Sequence, residues 1–489
     1  MRNRSSDRRL MDQRQRASPS VIYRVLLSMR ILSRMSCPFG VIETGKGSTL
    51  AIEKKLQFDE LVGYLKVSFA LLPDYRQGFN TTYNIQDAAL SAFSVFFMQC
   101  PSFLANQKKM QETKGKNNAN SLFQVANIPS DNQTRNLLDP IAPKHLTPVF
   151  EFIYKNLLDS GFLEPYRCLN NTILIALDGV CYHSSSEISC KKCHKREHKN
   201  GNTTYSHSAI TPVIVAPGNP HVVSLAPEFI TPQDGHDKQD SEHAATKRWL
   251  KQHAKHYREL GVTFLGDDLY DCQPICKAML EEQCHFLLTC KPDSHKTLYE
   301  WVSGLDTIGK VTTVNVNWNH GKKRYVDTYR FINQVPLRDS DDALLVNWCE
   351  LVTTNESGKV IYKNAFVTDH LITEKNIVDV VTAGRARWKI ENENNNTLKT
   401  KGYHLAHNFG HGKEHLSQLL FTMNLLAFLY HTVLHFVDTA YQLIRKKLPT
   451  RKTFFDDLRA LTRYMYFDNW QQLLRFMMTG LEIELPDSS

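Results

Sequence analysis

At 489 residues, 42 % hydrophobic and 22 % charged, the chain has the composition of a soluble globular protein with room for roughly two to four domains, which excludes a disordered or fibrous chain. The formal net charge of +9 is concentrated at the start: residues 1–36 hold nine Arg and two Asp, leaving 50 Lys+Arg against 48 Asp+Glu in the rest. Global charge therefore identifies no partner, and a nucleic-acid contact must come from local patches.

Residues 1–55 read as a flexible basic leader. The apolar pieces of Val21–Leu32 are short and broken by Arg24 and Arg30, so they make no secretory signal. The Arg- and Ser-rich start has the character of a transit peptide or of a dispensable leader, with Met11, Met29 and Met35 as later starts. Eleven cysteines, scattered except for Cys190 and Cys193, point to free thiols in a reducing compartment and to one metal site at that pair.

Folded pattern begins near Leu56. Asp59–Leu72, Asp87–Met98 and Thr147–Gly161 carry apolar residues at helical spacing. Between them 106–120 is polar and reads as a loop, while Ser130 or Asp131 caps a short helix that Pro140 stops. This makes a small helical domain over 56–165.

From Thr172 the period changes. TILIALDGV, to Val180, is a nearly continuous apolar run of the kind buried on both faces of a sheet, and it delivers Asp178 and Gly179. By itself Asp-Gly is a turn after a strand. A second run, Val262–Leu265, ends in Gly266, Asp267 and Asp268, so two neighbouring strands would point carboxylates at one site. Between them lie a Cys/His-rich excursion, 183–207, two strands joined by PGNP (211–216 and 221–226), and a helix over 240–260 that Gly261 ends. A helix over 274–283 and a strand over 285–290 follow. Three antiparallel strands followed by helix-linked parallel ones is the order of the ribonuclease-H-like fold, whose first and fourth strands end side by side. The fold class expected is thus α/β, a ribonuclease-H-like mixed sheet preceded by a small helical domain.

Four alternating, β-branched segments between Val311 and Thr368, with hairpin turns at HGKK and NESG, interrupt the scheme and read as an inserted β-rich subdomain over 297–372. Two helices, about 374–399 and 413–447, then complete the α/β domain (166–296 with 373–447), and 448–489 is an amphipathic helical tail. Leu419–Val437 is apolar enough to suggest a membrane span. It contains Asn424, His431 and His435, and is expected as a buried core helix, with no membrane partner.

The helix around RARWKIENENNNTLK is too polar for a core helix, and Arg387 and Glu391 share a face four residues apart. A solvated ion pair is one reading. The other brings Glu391 to Asp178 and Asp267, three carboxylates suited to two Mg²⁺ (or Mn²⁺) ions in an in-line displacement at phosphorus. On LDG at Asp178, GDDLY at Asp267, RWKIEN ending in Glu391, PEFITPQDGHDKQD (227–240) and GYHLAHNFGHG (402–412), the chain resembles bacterial insertion-sequence transposases of the Asp-Asp-Glu superfamily, over about 57–440.

The resemblance implies cleavage of element ends and joining of the 3′-hydroxyls to target DNA, with no covalent protein intermediate. It also implies double-stranded DNA partners, a homo-oligomer on the DNA, and a bacterial cytoplasmic, nucleoid-associated location. It places phosphate contacts at Arg385, Arg387 and Lys399, and a base-stacking role or a core position at Trp388. It leaves Asp268 as the alternative to Asp267. The related Tyr-Arg-Glu-Lys signature is matched at Arg387 and Glu391, but Gly384 stands at the Tyr position and Lys399 falls one residue late. A metal-dependent nuclease without strand transfer and a silent DNA-binding descendant remain as alternatives.

In the excursion, Cys190, Cys193, His198 and His207 offer Cys₂His₂ ligands for a structural Zn²⁺. The alternative is a zinc-free DNA-contacting loop using Lys192 and Arg196. His404, His407 and His411 offer ligand types too, but Gly410 and Gly412 favour a packed connection there, and His236 reads the same way.

Overall fold

The computed structural model describes residues 54–77, 82–232 and 240–484, so the leader up to residue 53 and His236 lie outside the described residues. Capping chemistry sets the early helices. Asn84 accepts from the Asp87 N–H at the start of Ile85–Phe97, and Ser130 forms a capping box with Gln133 at the start of Asp131–Leu138. Phe58–Ala70 and Thr147–Asp159 bury the apolar faces their spacing anticipates.

The stretch 106–120, expected as a loop, is instead helical, in Phe103–Gln111 and Thr113–Phe123. Its inward face is partly amide. Asn106 donates to Ser94 Oγ at 3.3 Å, and Asn118 donates to the carbonyls of Thr462 and Met465 at 2.8 and 2.7 Å. Buried but partnered amides leave no apolar period to read. Those carbonyls belong to and follow Arg451–Tyr464, which with Trp470–Gly480 forms the tail. Phe58 packs on Trp470 with centroids 4.6 Å apart, and Arg459 donates to the Met98 carbonyl at 2.7 Å. The first helices and the last helices among the described residues therefore build one helical unit.

Ile173–Ala176 (β1) is buried along its whole length. Gly179–Ser185 (β2), His194–Glu197 (β3) and Thr203–Ile210 (β4) turn away from it into a second sheet of order β2-β4-β3, with Glu228–Ile230 (β7) on β4. Val213–Val215 (β5) and Val223–Ser224 (β6) return to β1, where β5 pairs antiparallel with β1 and β6 with β5. After the helix Glu242–Tyr257, Val262–Gly266 (β8) lies parallel to β1, and after Gln273–Glu281, His285–Thr289 (β9) lies parallel to β8. The excursion is thus a sheet of its own rather than an irregular loop.

The segment 297–372 does not stand apart. A helix, Lys296–Thr307, comes first. Thr312–His320 (β10), Lys323–Pro336 (β11), Leu345–Asn355 (β12) and Val360–Thr368 (β13) then extend the main sheet, because β13 pairs antiparallel with β9. The result is a nine-stranded mixed sheet of order β10-β11-β12-β13-β9-β8-β1-β5-β6.

The helix expected over 374–399 is divided into Ile377–Arg385, a π-helix Ile390–Asn396 and the turn Thr397–Thr400. Leu416–Val437 is, among the described residues, the helix long and apolar enough to cross a membrane, and 83 % of its most apolar window is buried inside the protein. Two of its polar residues are tied to Tyr403 within that core: Asn424 donates to the Tyr403 carbonyl at 2.8 Å, and His431 Nδ1 lies 2.6 Å from the Tyr403 hydroxyl.

Candidate active site

The site begins where β1 and β8 end. Ala176 is in register with Leu265, and Leu177 N–H donates to the Leu265 carbonyl at 2.8 Å. Two residues further along each parallel strand stand Asp178 and Asp267. The Asp268 carboxylate accepts from Lys291 N–H at 2.7 Å and from the Ser294 hydroxyl, closing the loop after β9.

Asp178 carries the electrostatic load of the site. Burial, and then the carboxylates of Glu242, Glu391 and Asp267, push its carboxyl up to about 7, while Arg387 acts in the opposite direction. Asp178 is further held by Asn395, whose Nδ2 donates to Asp178 Oδ2 at 2.8 Å. Asn394 donates in turn to Asn395 Oδ1 at 3.0 Å and accepts from Ser224 Oγ at 3.2 Å. The polarity of ENENNN is therefore not that of a solvated face: Asn394 and Asn395 are buried, and they join this helical segment to the sheet.

Glu391 remains 46 % exposed, with Oε1 paired to Arg387 at 2.7 Å. The solvated ion pair of the sequence reading is present, and Glu391 also raises the Asp178 carboxyl electrostatically. Asp178, Asp267 and Glu391 do not form a collapsed cage; among the described residues, the triads with ligand atoms all within 4.8 Å lie elsewhere.

Glu242 was not legible in the sequence. It opens the helix capped by Ser241, a position where any acid is favoured by the helix dipole. Here it lies against the backbone of Gly179, where a Cβ would stand 2.5 Å from its Oε2, and the Tyr270 hydroxyl donates to its Oε1 at 2.6 Å. A side chain after Asp178 would displace the Glu242 carboxylate from this position.

Two positions in this helical segment have distinct local packing. A Cβ at Gly384 would come within 2.7 Å of the Phe366 ring, so the helix packs too closely on β13 for a tyrosine. Between Glu391 and Lys399 the chain is wound as a π-helix, whose i→i+5 turns hold more residues than α turns.

Among the other basic residues, Arg385 lies over the Tyr362 ring at 4.7 Å, and Lys399 and Arg196 are exposed. Lys192 Nζ donates to His415 Nδ1 at 2.6 Å. Trp388 is 37 % exposed rather than a core residue.

The Cys/His cluster forms with one change of partner. Cys190, Cys193 and His207 come together, and the fourth residue is His411. His198 does not take part: it sits on the outer end of the β3–β4 hairpin with Nε2 2.8 Å from Thr204 Oγ1. Local spacing suggested His198, whereas the chain returns His411 to the sulfurs from a loop after the π-helix. Burial together with His411 and His183 holds His207 down at about 3, and burial pushes the Cys193 thiol up to about 11.

No family model matches the chain, and no curated protein matches it. Among solved structures, a cryo-EM structure of the piggyBac transposase synaptic complex with hairpin DNA is similar at 11 % identity and a TM-score of 0.38, covering 90 % of this chain and 86 % of that one. A likeness of that degree identifies neither fold nor function, and the assignment rests on the side chains.

Proposed function

We propose that the chain is a DNA transposase that cleaves the ends of a mobile element and joins them to target DNA at a site built from Asp178, Asp267 and Glu391. The observation that carries this is the mutual placement of the three carboxylates: Asp267 from a parallel strand end and Glu391 from a distant helical segment both act on a half-buried Asp178. A cluster of like charges around a carboxyl raised to about 7 is costly without a cation, which gives the arrangement a reason only if one binds. The strand order β6-β5-β1-β8-β9, with the first three antiparallel and the last two parallel to β1, supports the ribonuclease-H-like reading.

The donor set fits hard divalent ions, since every ligand is a carboxylate oxygen. Magnesium or manganese held by Asp178, Asp267 and Glu391 would supply the positive charge that favours both the attacking and the leaving oxygen in an in-line displacement. The chain's own residues do the rest. Asn395 orients Asp178, Tyr270 holds Glu242 beside Gly179, and Arg387 offsets Glu391 and is placed to meet a phosphate oxygen. In the first step a water oxygen bonds to phosphorus as the bond to the 3′ oxygen breaks and that oxygen takes up a proton. In the second, the 3′-hydroxyl loses its proton, bonds to a target phosphorus and displaces the target's 3′ oxygen. Two element ends handled together imply more than one copy on the DNA.

Supercoiled plasmid carrying the flanking element ends, incubated with Mg²⁺ or Mn²⁺, tests the reading. Wild type is expected to cut at the ends and yield joined products, and Glu391→Gln to bind the DNA without cutting. End cleavage without joined products would make it a nuclease. Cleavage by the variant would remove Glu391 from the site.

A further inference from the structure

The second constellation has no part in phosphoryl transfer, and it is more closely drawn than the first. Cys190 Sγ and Cys193 Sγ are 3.8 Å apart, and His207 Nε2 lies 3.5 Å from the one and 3.4 Å from the other. His411 Nε2 lies 3.6 Å from Cys193 Sγ, across 218 residues of sequence. Zinc–sulfur bonds of about 2.3 Å and zinc–nitrogen bonds of about 2.0–2.1 Å at tetrahedral angles require sulfur–sulfur edges of about 3.8 Å and sulfur–nitrogen edges of about 3.5–3.6 Å. The four edges agree with these to about 0.2 Å. A disulfide explains none of this, since it needs the sulfurs at about 2.05 Å and has no use for two imidazole nitrogens turned toward them.

We infer that Cys190, Cys193, His207 and His411 bind one structural Zn²⁺ that fastens the β2-β4-β3 sheet to the 402–415 segment. All four tetrahedral positions come from the chain, so no position is left open for a reacting water, and the site is closed rather than catalytic. Its ligands come from the turn before β3, from β4, and from a loop that Gly412, at φ +69°, returns toward Leu416–Val437. The metal would add a direct tie between that loop and the excursion, across the 218 residues that separate Cys193 from His411. The same junction carries Lys192 against His415, which ties the basic face of the excursion to the chain leaving the π-helix. The inference is independent of the transposase reading.

Metal analysis of the full chain, purified without added metal and then dialysed against a weak chelator, tests it. The expected result is one zinc per chain. Replacement by Co²⁺ should give the strong visible bands of a tetrahedral ion together with thiolate-to-metal charge transfer. His411→Ala should lose metal to the chelator on the order of tenfold or more readily, His411→Cys should restore retention, and His198→Ala should behave as wild type. The Co²⁺ spectrum is read on the unmodified chain, so it decides the matter even if His411→Ala fails to fold. A chain that holds no zinc and gives no tetrahedral Co²⁺ spectrum, a Cys190–Cys193 disulfide in the purified protein, or metal loss in His198→Ala but not in His411→Ala would overturn the inference.

Discussion

Asn395 Nδ2 donates to Asp178 Oδ2 at 2.8 Å, a hydrogen bond between residues 217 apart in the chain. It joins the π-helix that carries Glu391 directly to the strand end that carries Asp178, so this amide helps set the relative position of the two carboxylates. Hydrogen bonds to charged groups contribute about 1.5–3 kcal/mol, which corresponds to roughly 10–100-fold in rate if the bond acts through Asp178's position. Asn395→Ala should lower end cleavage by about that factor with little change in DNA binding. Asn395→Asp, which sets another carboxylate against Asp178, should lower it further. Cleavage and binding assays on the two variants check this.

Asp267 and Asp268 make opposite predictions. Asp267→Asn should reduce cleavage by more than about a hundredfold, as expected for loss of a metal-ligand charge. Asp268→Asn should retain most activity and instead loosen the loop after β9 through its bonds to Lys291 and Ser294. Plasmid cleavage together with thermal melting separates the two effects.

The Asp178 carboxyl gives a signed pH effect on stability. In the fold it ionises near 7, because of burial first and the neighbouring carboxylates second, against 3.8 as its ordinary value. Between those values the folded state holds the extra proton, so stability falls as pH rises through that window, and the penalty is complete above about 7. Asp178→Asn should therefore be more stable than wild type at pH 8, by on the order of a few kcal/mol, with the difference vanishing below about pH 4. Millimolar Mg²⁺ should narrow the gap at pH 8 by binding the wild-type site. Urea unfolding at both pH values, with and without Mg²⁺, reads each term.

Glu242 is the first of the charges that raise Asp178. Glu242→Gln removes that repulsion and should move the acid limb of the cleavage pH profile to lower pH. A pH–rate profile that does not move would mean that Glu242 serves only to pack against Gly179 and Tyr270.

Trp470 is fully buried against Phe58, from the opposite end of the chain. Trp470→Ala should destabilise the helical unit by about 3–5 kcal/mol. Because that unit includes Phe58–Ala70, loss of the tail should expose N-terminal helices to proteolysis as well as the tail itself.

Local chemistry in the sequence determined the strands that deliver Asp178 and Asp267, the Ser130 cap, the buried character of 416–437 and the Arg387–Glu391 pair. Each of these depends on residues within a few positions of one another: a continuous apolar run, a hydroxyl three residues before a helical amide, charges four residues apart. Tertiary structure decided what depends on contact between distant segments. Parallel register with β1 set Asp267 level with Asp178, while Asp268 is bonded to the loop after β9. The returning loop brought His411 to the sulfurs in place of His198, and a first-turn acid indistinguishable from any other became the fourth carboxylate beside Gly179. The buried amides at 106–118 and at 394–395 misled for the same reason: their hydrogen-bond partners are supplied by remote parts of the chain, so their polarity reads locally as exposure.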